Sequence, residues 1–448
     1  MTEHSLPLTV ENAPEPTIDW SVGMGYRQLK AATILVSLCL SVVSLHLISW
    51  GYIIVWGITS IFCLRALKLV MAKVAQPPLL IPPQTYPFIS MAIAAKNEAA
   101  VIADLIESLC SLDYPIDRYE VWAIDDNSTD RTPEILDNFA QQYPQLQVLH
   151  RTERDTGGKS GALNQVLSMM QGEIIGVFDA DAQVTPDFLH YVLAYFQTDT
   201  VGAVQLRKAI VNSDTNFLTR GQRAEMALDA YLQQQRTGSG GIGELRGNGQ
   251  FVRRTALDSC DGWNEETITD DLDLTIRLHL TGWDIGLMPY PPVGEEGVTT
   301  FKALWHQRNR WAEGGFQRYL DYWGIITSNR MGTKKTLDTI SFLLIQYLLP
   351  PAGIPDFLMA FWLKHPPLLL PMTASLGVAL PLWGIWVGLQ RSYRQADRTV
   401  SISTLLSQTA IGSLFILHWL IVMPLAIARM ALFPKRLKWV KTLRQADL

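Results

Sequence analysis

The sequence predicts an α/β domain with a mostly parallel sheet, inserted between transmembrane α-helices. Three observations lead there. Of the 448 residues, 48% are hydrophobic and only 18% charged, an apolar excess for a soluble chain. The excess is concentrated in two blocks, at 31–70 and 337–432. Between them, residues 82–330 are mixed in polarity and alternate strand-like runs with stretches of helical periodicity.

Taken in order, residues 1–30 carry Glu3, Glu11, Glu15 and Asp19 against Arg27 and Lys30. A secretory signal starts basic and becomes apolar early, so this is a polar tail instead. From Ala31 to Leu64 no charged residue occurs for 34 positions. At 1.5 Å per residue that is roughly 50 Å, too long for one straight crossing of a ~30 Å hydrocarbon core. Two helices turning near Ser49-Trp50-Gly51-Tyr52 fit better, the second running to about Val70. Arg65, Lys68 and Lys73 then face the cytosol by the positive-inside bias. A buried soluble hairpin is the alternative.

In the second block, Thr339–Leu363, Pro367–Leu389 and Leu405–Leu432 are apolar. The loop Gln390–Thr399 carries Arg391, Arg394 and Arg398, and the tail 433–448 carries Lys435, Arg436, Lys438, Lys441 and Arg444. Three full crossings would leave this basic tail outside. Either one segment is re-entrant or split, with Pro350-Pro351 and Pro424 as break points, or the tail breaks the rule; a cytosolic tail is expected.

Within 82–330, Phe88–Ala94 is a strand, followed by Asn97 as a helix cap and by Ile102, Leu105, Ile106 and Leu109 at helical spacing. Glu120–Ile124 is a strand ending in Asp125-Asp126, and Thr132-Pro133 opens a helix. Gln147–His150, Ile174–Phe178 and Ala203–Leu206 supply further strands. Ligands of such sheets bind off the carboxyl ends of the strands.

The acidic clusters fall at those ends. In Asp179-Ala180-Asp181, residues two apart in extended chain point to one side, so both carboxylates can meet one hard cation, Mg²⁺ or Mn²⁺. Taken alone, the trio is better explained by a solvated turn; its position after a buried strand and the other acidic clusters favour the cation site. Lys96-Asn97-Glu98 and Asp125-Asp126 offer acceptors to a base and ribose, although a turn also explains the second cluster. Gly157-Gly158-Lys159-Ser160 opens a helix whose N–H groups, with Lys159, can hold phosphate oxygens. It is not a P-loop, because Glu153 stands where that motif needs glycine. Gly238–Gly243 matches GxGxxG literally, yet no strand precedes it, and a mobile loop is expected. Thr269-Asp270-Asp271 starts an amphipathic helix, where the dipole alone could explain the acids. A carboxylate there can also take a proton from a hydroxyl. Gln307-Arg308-Asn309-Arg310-Trp311 offers forked donors and an aromatic wall, or interfacial anchors with Trp305. The net charge of −5 gives no basic field for nucleic acid. Four scattered cysteines give neither a disulfide framework nor a zinc site.

In this order, between membrane segments, these motifs resemble the membrane-bound members of glycosyltransferase family 2. The resemblance runs from about Phe88 to Trp311 and includes Gly247-Asn248-Gly249 with Arg253-Arg254. It implies a GT-A fold, a nucleotide-sugar donor and inversion at the anomeric carbon. Glu98 and Asp126 would contact the nucleoside, with Asp125 assisting. Asp179 and Asp181 would face ribose and metal, and Lys159 the phosphates. Asp271 is similar to the general base of the T-[ED]-D motif, with Asp270 in place of the commoner Glu. Gln307, Arg310 and Trp311 match QxxRW. Chain length and motif set are most similar to the cyanobacterial branch that glucosylates diacylglycerol, which implies UDP-glucose as donor, diacylglycerol or another membrane lipid as acceptor, and Mg²⁺ (or Mn²⁺). The catalytic domain would then be cytoplasmic, on a plasma or thylakoid membrane. A processive β-polysaccharide synthase of the cellulose or hyaluronan type is the other reading that QxxRW implies.

Overall fold

The computed structural model describes residues 18–21, 23–74, 76–80 and 85–433. The expected tail segments 1–17 and 434–448 lie outside the described residues. The chain enters helix α1 (Arg27–Leu47), reverses, and returns in α2 (Gly51–Val70). Gly51 is needed at the reversal because a Cβ there would press on the Leu45 carbonyl. Leu40, Trp56 and Leu64 stand exposed on these helices. Five helices are long and apolar enough to cross a membrane. So much uncovered apolar surface is stable only against lipid, and the chain is membrane-associated.

The central domain runs β1 (Ile89–Ala95), α3 (Ile102–Cys110), β2 (Tyr119–Asp126), α4 (Thr132–Ala140), β3 (Leu146–Arg151), α5 (Gly158–Leu167), β4 (Ile174–Phe178), α6 (Phe188–Tyr195), β5 (Val201–Ile210), α7 (Phe217–Gly238), β6 (Gln250–Arg253), α8 (Arg254–Asp258), α9 (Asp270–Leu280), β7 (Asp284–Glu295) and α10 (Phe301–Thr327). The strands form one seven-stranded sheet in the order β3-β2-β1-β4-β6-β5-β7. All neighbours are parallel except β6, which runs against β4 and β5. Alternation along β1 sends Met91 and Ile93 into one core with Ile102, Leu105 and Phe188. It sends Ala92 into the other, with Leu163 of α5 and Leu274 of α9. Both faces are covered, which is why β4 is apolar at every position.

Three expectations are corrected here. Asn97 does not cap α3, which starts at Ile102 after Val101. Asn97 instead adopts a left-handed φ of 56°. Its side-chain oxygen accepts from the Thr129 N–H at 2.7 Å, which ties the β1 turn to the loop after β2. Gly238–Gly243 is not a loose loop. Ile242 is fully buried and its N–H donates to Asp338 at 3.0 Å. The third correction concerns the second apolar block.

That block forms α11 (Thr333–Leu363), α12 (Leu370–Gln395) and α13 (Ile402–Leu432). Pro350-Pro351 does not break α11. A π-turn at Leu343–Leu348 absorbs the missing N–H, and the helix continues. In α13 the interruption falls at Leu417-His418, not at Pro424. One apolar cluster joins Val42 of α1, Val55 of α2, Leu349 of α11 and Leu376 of α12, with no residue of α13. Helix α13 meets the central domain at three points, and its second half also joins α1 in another apolar cluster, where Val422, Ala426 and Ile427 gather with Ala31. Phe415 lies against Gly221 of α7, the Trp419 indole donates to Glu225 at 2.7 Å, and Arg429 pairs with Glu313 of α10 at 3.1 Å.

Candidate active site

The carboxyl ends of β1, β2, β4 and β7 share one edge of the sheet. Because β6 is antiparallel, its beginning reaches that edge too and carries Gly247-Asn248-Gly249 there. A cavity of about 840 Å³ opens at the edge. Glu98, Asp126, Lys159, Asp179, Asp181, Asp271, Gln307, Arg310 and Trp311 all line it.

Glu98 is buried beyond β1, its N–H donating to the Thr132 hydroxyl at 2.9 Å. Asp126 ends β2 and accepts from Arg151 at 2.5 Å, while the Lys96 ammonium donates to its backbone carbonyl at 2.8 Å. Asp125 is the exception among the expected residues. Its side chain turns away from the cavity, accepting from the Ser128 N–H at 3.1 Å and meeting His150 at 3.2 Å. One residue along an extended strand reverses the side-chain direction, so adjacent acids could not both face the ligand edge.

Helix α5 begins with Gly157 at φ 81° and Gly158 at φ 55°, backbone conformations that favour glycine. The turn aims Lys159 at Asp179, with 2.6 Å between them. Burial opposes the charge on Lys159, yet Asp179, Asp270 and Asp271 together hold its ammonium above the ordinary value. Asp179 leaves β4 with its N–H on the buried Asn248 side chain at 3.2 Å. Asp181 accepts from the Glu296 N–H at 3.0 Å.

Among the described residues no group of three His, Cys, Asp or Glu side chains forms a closed metal site. The donor set nevertheless suits a hard divalent cation. Asp179 and Asp181 offer oxygens only, and the buried Glu296 Oε2 beside them has no hydrogen-bond partner among the described residues. Two carboxylates leave the remaining positions to water and phosphate, the sharing that Mg²⁺ prefers.

Asp271 sits in the first turn of α9, its Oδ1 accepting from the Leu272 N–H at 2.9 Å. Burial, then the neighbouring Asp270, pushes its carboxyl up to about 6, against the pull of Arg246 and Lys159. Gly247, at φ 81°, lets the chain pass close to this carboxylate: an added Cβ would stand 3.4 Å from Oδ2. The buried Oδ2 of Asp270 has no hydrogen-bond partner among the described residues.

Helix α10 presents the remaining wall. Arg310 makes no ion pair among the described residues and is available to an anion in the cavity. Trp311 lines the cavity. Its ring is covered by the Arg308 guanidinium at 4.0 Å and approached by Lys208 at 5.5 Å. Arg308 donates to Gln307 at 2.7 Å and to Glu225 of α7 at 2.5 Å, so one buried arginine braces both neighbours. Trp305 stands apart, stacked on the exposed Phe301.

The sequence reading passed over several of these groups. Glu295-Glu296 at the end of β7 obeys the same strand-end rule that drew attention to Asp125-Asp126, but β7 went unrecognised. Glu295 pairs with Lys208 at 2.8 Å. Arg246, bonded to Asp229 and Glu244 at 2.7 Å each, adjoins the Gly247 turn. The pairing of Glu225 with Arg308 has no sequence signal, because only the tertiary fold brings these two side chains of α7 and α10 together.

Comparison with known proteins agrees with this arrangement. The family described as glycosyl transferase family 2 matches residues 90–260. The chain is 56% identical over 434 residues to a beta-monoglucosyldiacylglycerol synthase of Synechocystis sp., covering 96% of this chain and 90% of that protein. It is also 56% identical over 445 residues to the beta-monoglucosyldiacylglycerol synthase of Nostoc sp., covering 97% and 93%. Among solved structures, the mannosyltransferase PcManGT of Pyrobaculum calidifontis, in complex with GDP-Man and Mn²⁺, superposes with a TM-score of 0.52. It covers 84% of this chain and 99% of that one at 21% identity, a likeness of fold.

Proposed function

The chain belongs to glycosyltransferase family 2, and from that premise we propose that it moves glucose from UDP-glucose to the hydroxyl of diacylglycerol, with inversion at the sugar C1. The observation that carries this reading is a single cavity in which Asp271, a carboxyl that burial pushes up to about 6, faces the acidic strand ends, and which opens toward apolar membrane helices. The relatives at 56% identity, named for this glucolipid, supply the donor sugar and the acceptor class.

In the proposed reaction Asp271 accepts the proton of the acceptor hydroxyl, whose oxygen forms the new bond to C1. The bond from C1 to the UDP oxygen breaks, and UDP leaves with the electron pair. Arg310 meets the developing diphosphate charge, and Trp311 walls the sugar. Glu98 and Asp126 accept from the nucleoside. Lys159 holds Asp179 in place and adds charge near the phosphates. Asp179 and Asp181 would hold Mg²⁺ or Mn²⁺, which when bound neutralises phosphate oxygens.

The same reading sets the catalytic domain on the cytosolic face of a plasma or thylakoid membrane, with α1, α2, α11 and α12 crossing. Helix α13 stays on the catalytic side, since Arg429 near its end pairs with Glu313. Four crossings return the basic tail to the cytosol, in accord with the positive-inside bias. Protease reaching the tail in sealed, cytosol-out vesicles is the expected result, and protection there refutes this topology.

The activity is tested with membranes carrying this chain, labelled UDP-glucose, Mg²⁺ and added diacylglycerol. The expected product is one monoglucosyl lipid extracted into organic solvent. Label in an insoluble product indifferent to diacylglycerol overturns the proposal in favour of a processive polysaccharide synthase.

A further inference from the structure

The cavity does not end at the catalytic carboxylates. It continues into the membrane block, where Phe62 and Leu69 of α2, Ile345 of α11, Leu380 of α12, and Leu420 and Met423 of α13 form its walls. Two π-turns lie along this arm. One, Leu343–Leu348, precedes Pro350-Pro351, and the other, Thr373–Ala379, precedes Pro381. Each π-turn stands just N-terminal to a proline that cannot donate to the helix ladder, and each widens its helix by one residue. Residues of both turns line the cavity: Ile345 and Gln346 from the first, Leu376 and Gly377 from the second. Two independent helices thus carry the same irregularity at the wall of the same space. Gly377 leaves that wall open, since a Cβ there would meet nothing nearer than Thr373, at 3.6 Å. Arg65 and Lys68 line the same arm from the end of α2, the level at which basic side chains reach lipid headgroups.

We propose that this arm is the acyl-chain site of the acceptor, shaped by the two π-turns so that a membrane diacylglycerol seats its chains there while its hydroxyl projects toward Asp271. The inference rests on the diacylglycerol reading above. It assigns acceptor selection to α2, α11, α12 and α13, and leaves the nucleotide-binding edge with no part in it.

The test fills the arm. Gly377→Phe in the full-length protein places a ring in the open space, at a helical position that accepts a side chain. Gly353→Phe adds the same ring to α11 where nothing lies within 4 Å and no cavity wall is formed. Initial rates are compared for dioleoylglycerol and for short-chain dibutyrylglycerol, together with hydrolysis of UDP-glucose without acceptor. The expected result for Gly377→Phe is a KM for dioleoylglycerol raised about tenfold or more, the effect of displacing a few methylenes. Its KM for dibutyrylglycerol and its donor hydrolysis stay near parental values, and Gly353→Phe matches the parent throughout. Unchanged dioleoylglycerol kinetics, or an equal loss with both acceptors, overturns the assignment. If Gly377→Phe also loses donor hydrolysis, Leu420→Trp carries the same comparison from α13. A parent protein that transfers label to neither acceptor refutes the diacylglycerol reading itself, which separates the two failures.

Discussion

Replacing Asp270 with asparagine should move the acid limb of the pH–rate profile to lower pH. Asp271 must be unprotonated to take the acceptor's proton, and its carboxyl is pushed up to about 6 by burial first and by Asp270 second. The base form is therefore lost as pH falls through about 6, well above the ordinary carboxylate range. One pH unit below that point leaves about a tenth of the chains competent, a barrier rise of about 1.4 kcal/mol. Asp270→Asn keeps the shape of the side chain and removes the like charge beside the base. Burial, the larger cause, remains, so the limb shifts acidward without returning to the ordinary value. The assay is kcat/KM for glucosyl transfer from about pH 4 to 8 at saturating metal, each profile normalised to its own plateau because Asp270 also faces the cavity. A limb that stays in place or moves alkaline in Asp270→Asn refutes the electrostatic account. A parental profile flat down to about pH 4 refutes Asp271 as the titrating base.

Further outcomes are expected. Asp271→Asn should abolish transfer while retaining UDP-glucose binding, and its unfolding midpoint at neutral pH should be no lower than the parent's. The sign follows from linkage: a carboxyl raised in the folded state loses stability as pH rises through its folded pKa, and asparagine removes that loss. Asp181→Ala should weaken metal-dependent donor binding, measured by titrating Mg²⁺ or Mn²⁺ at fixed UDP-glucose; an unchanged metal midpoint counts against the pair Asp179 and Asp181. Arg308→Ala strands buried Glu225, and breaking such a pair costs about 3–5 kcal/mol. Its thermal midpoint should fall more than that of Glu225→Gln, and equal, negligible shifts would show that the bracing of Gln307 and Trp311 does not depend on the pair.

The sequence by itself determined the frame. Long uninterrupted apolar runs must be kept from water, so the two apolar blocks were legible without coordinates. The strand Ile174–Phe178 and the helix opened by Gly157-Gly158 were equally legible, because buried parallel strands and glycine-led helix starts are local properties. The acids at the ends of the recognisable strands β1, β2 and β4 are site candidates for the same reason, whereas Glu295-Glu296 at the end of β7 is not. The tertiary structure decided which of them face the cavity: pleat direction turned Asp125 to His150 while Asp126 kept the ligand edge. It also decided that β6 runs antiparallel, which carries Gly247-Asn248-Gly249 to Asp179 and Asp271. A short strand's direction is set by the partners on either side, and nothing within Gln250–Arg253 encodes it. The Glu225–Arg308–Trp419 network joins three helices far apart in the chain. The course of α13 likewise depends on α1, α7 and α10 being there to receive it. Periodicity tells that a segment is apolar, but only packing partners decide whether it crosses a membrane or lies against a protein wall.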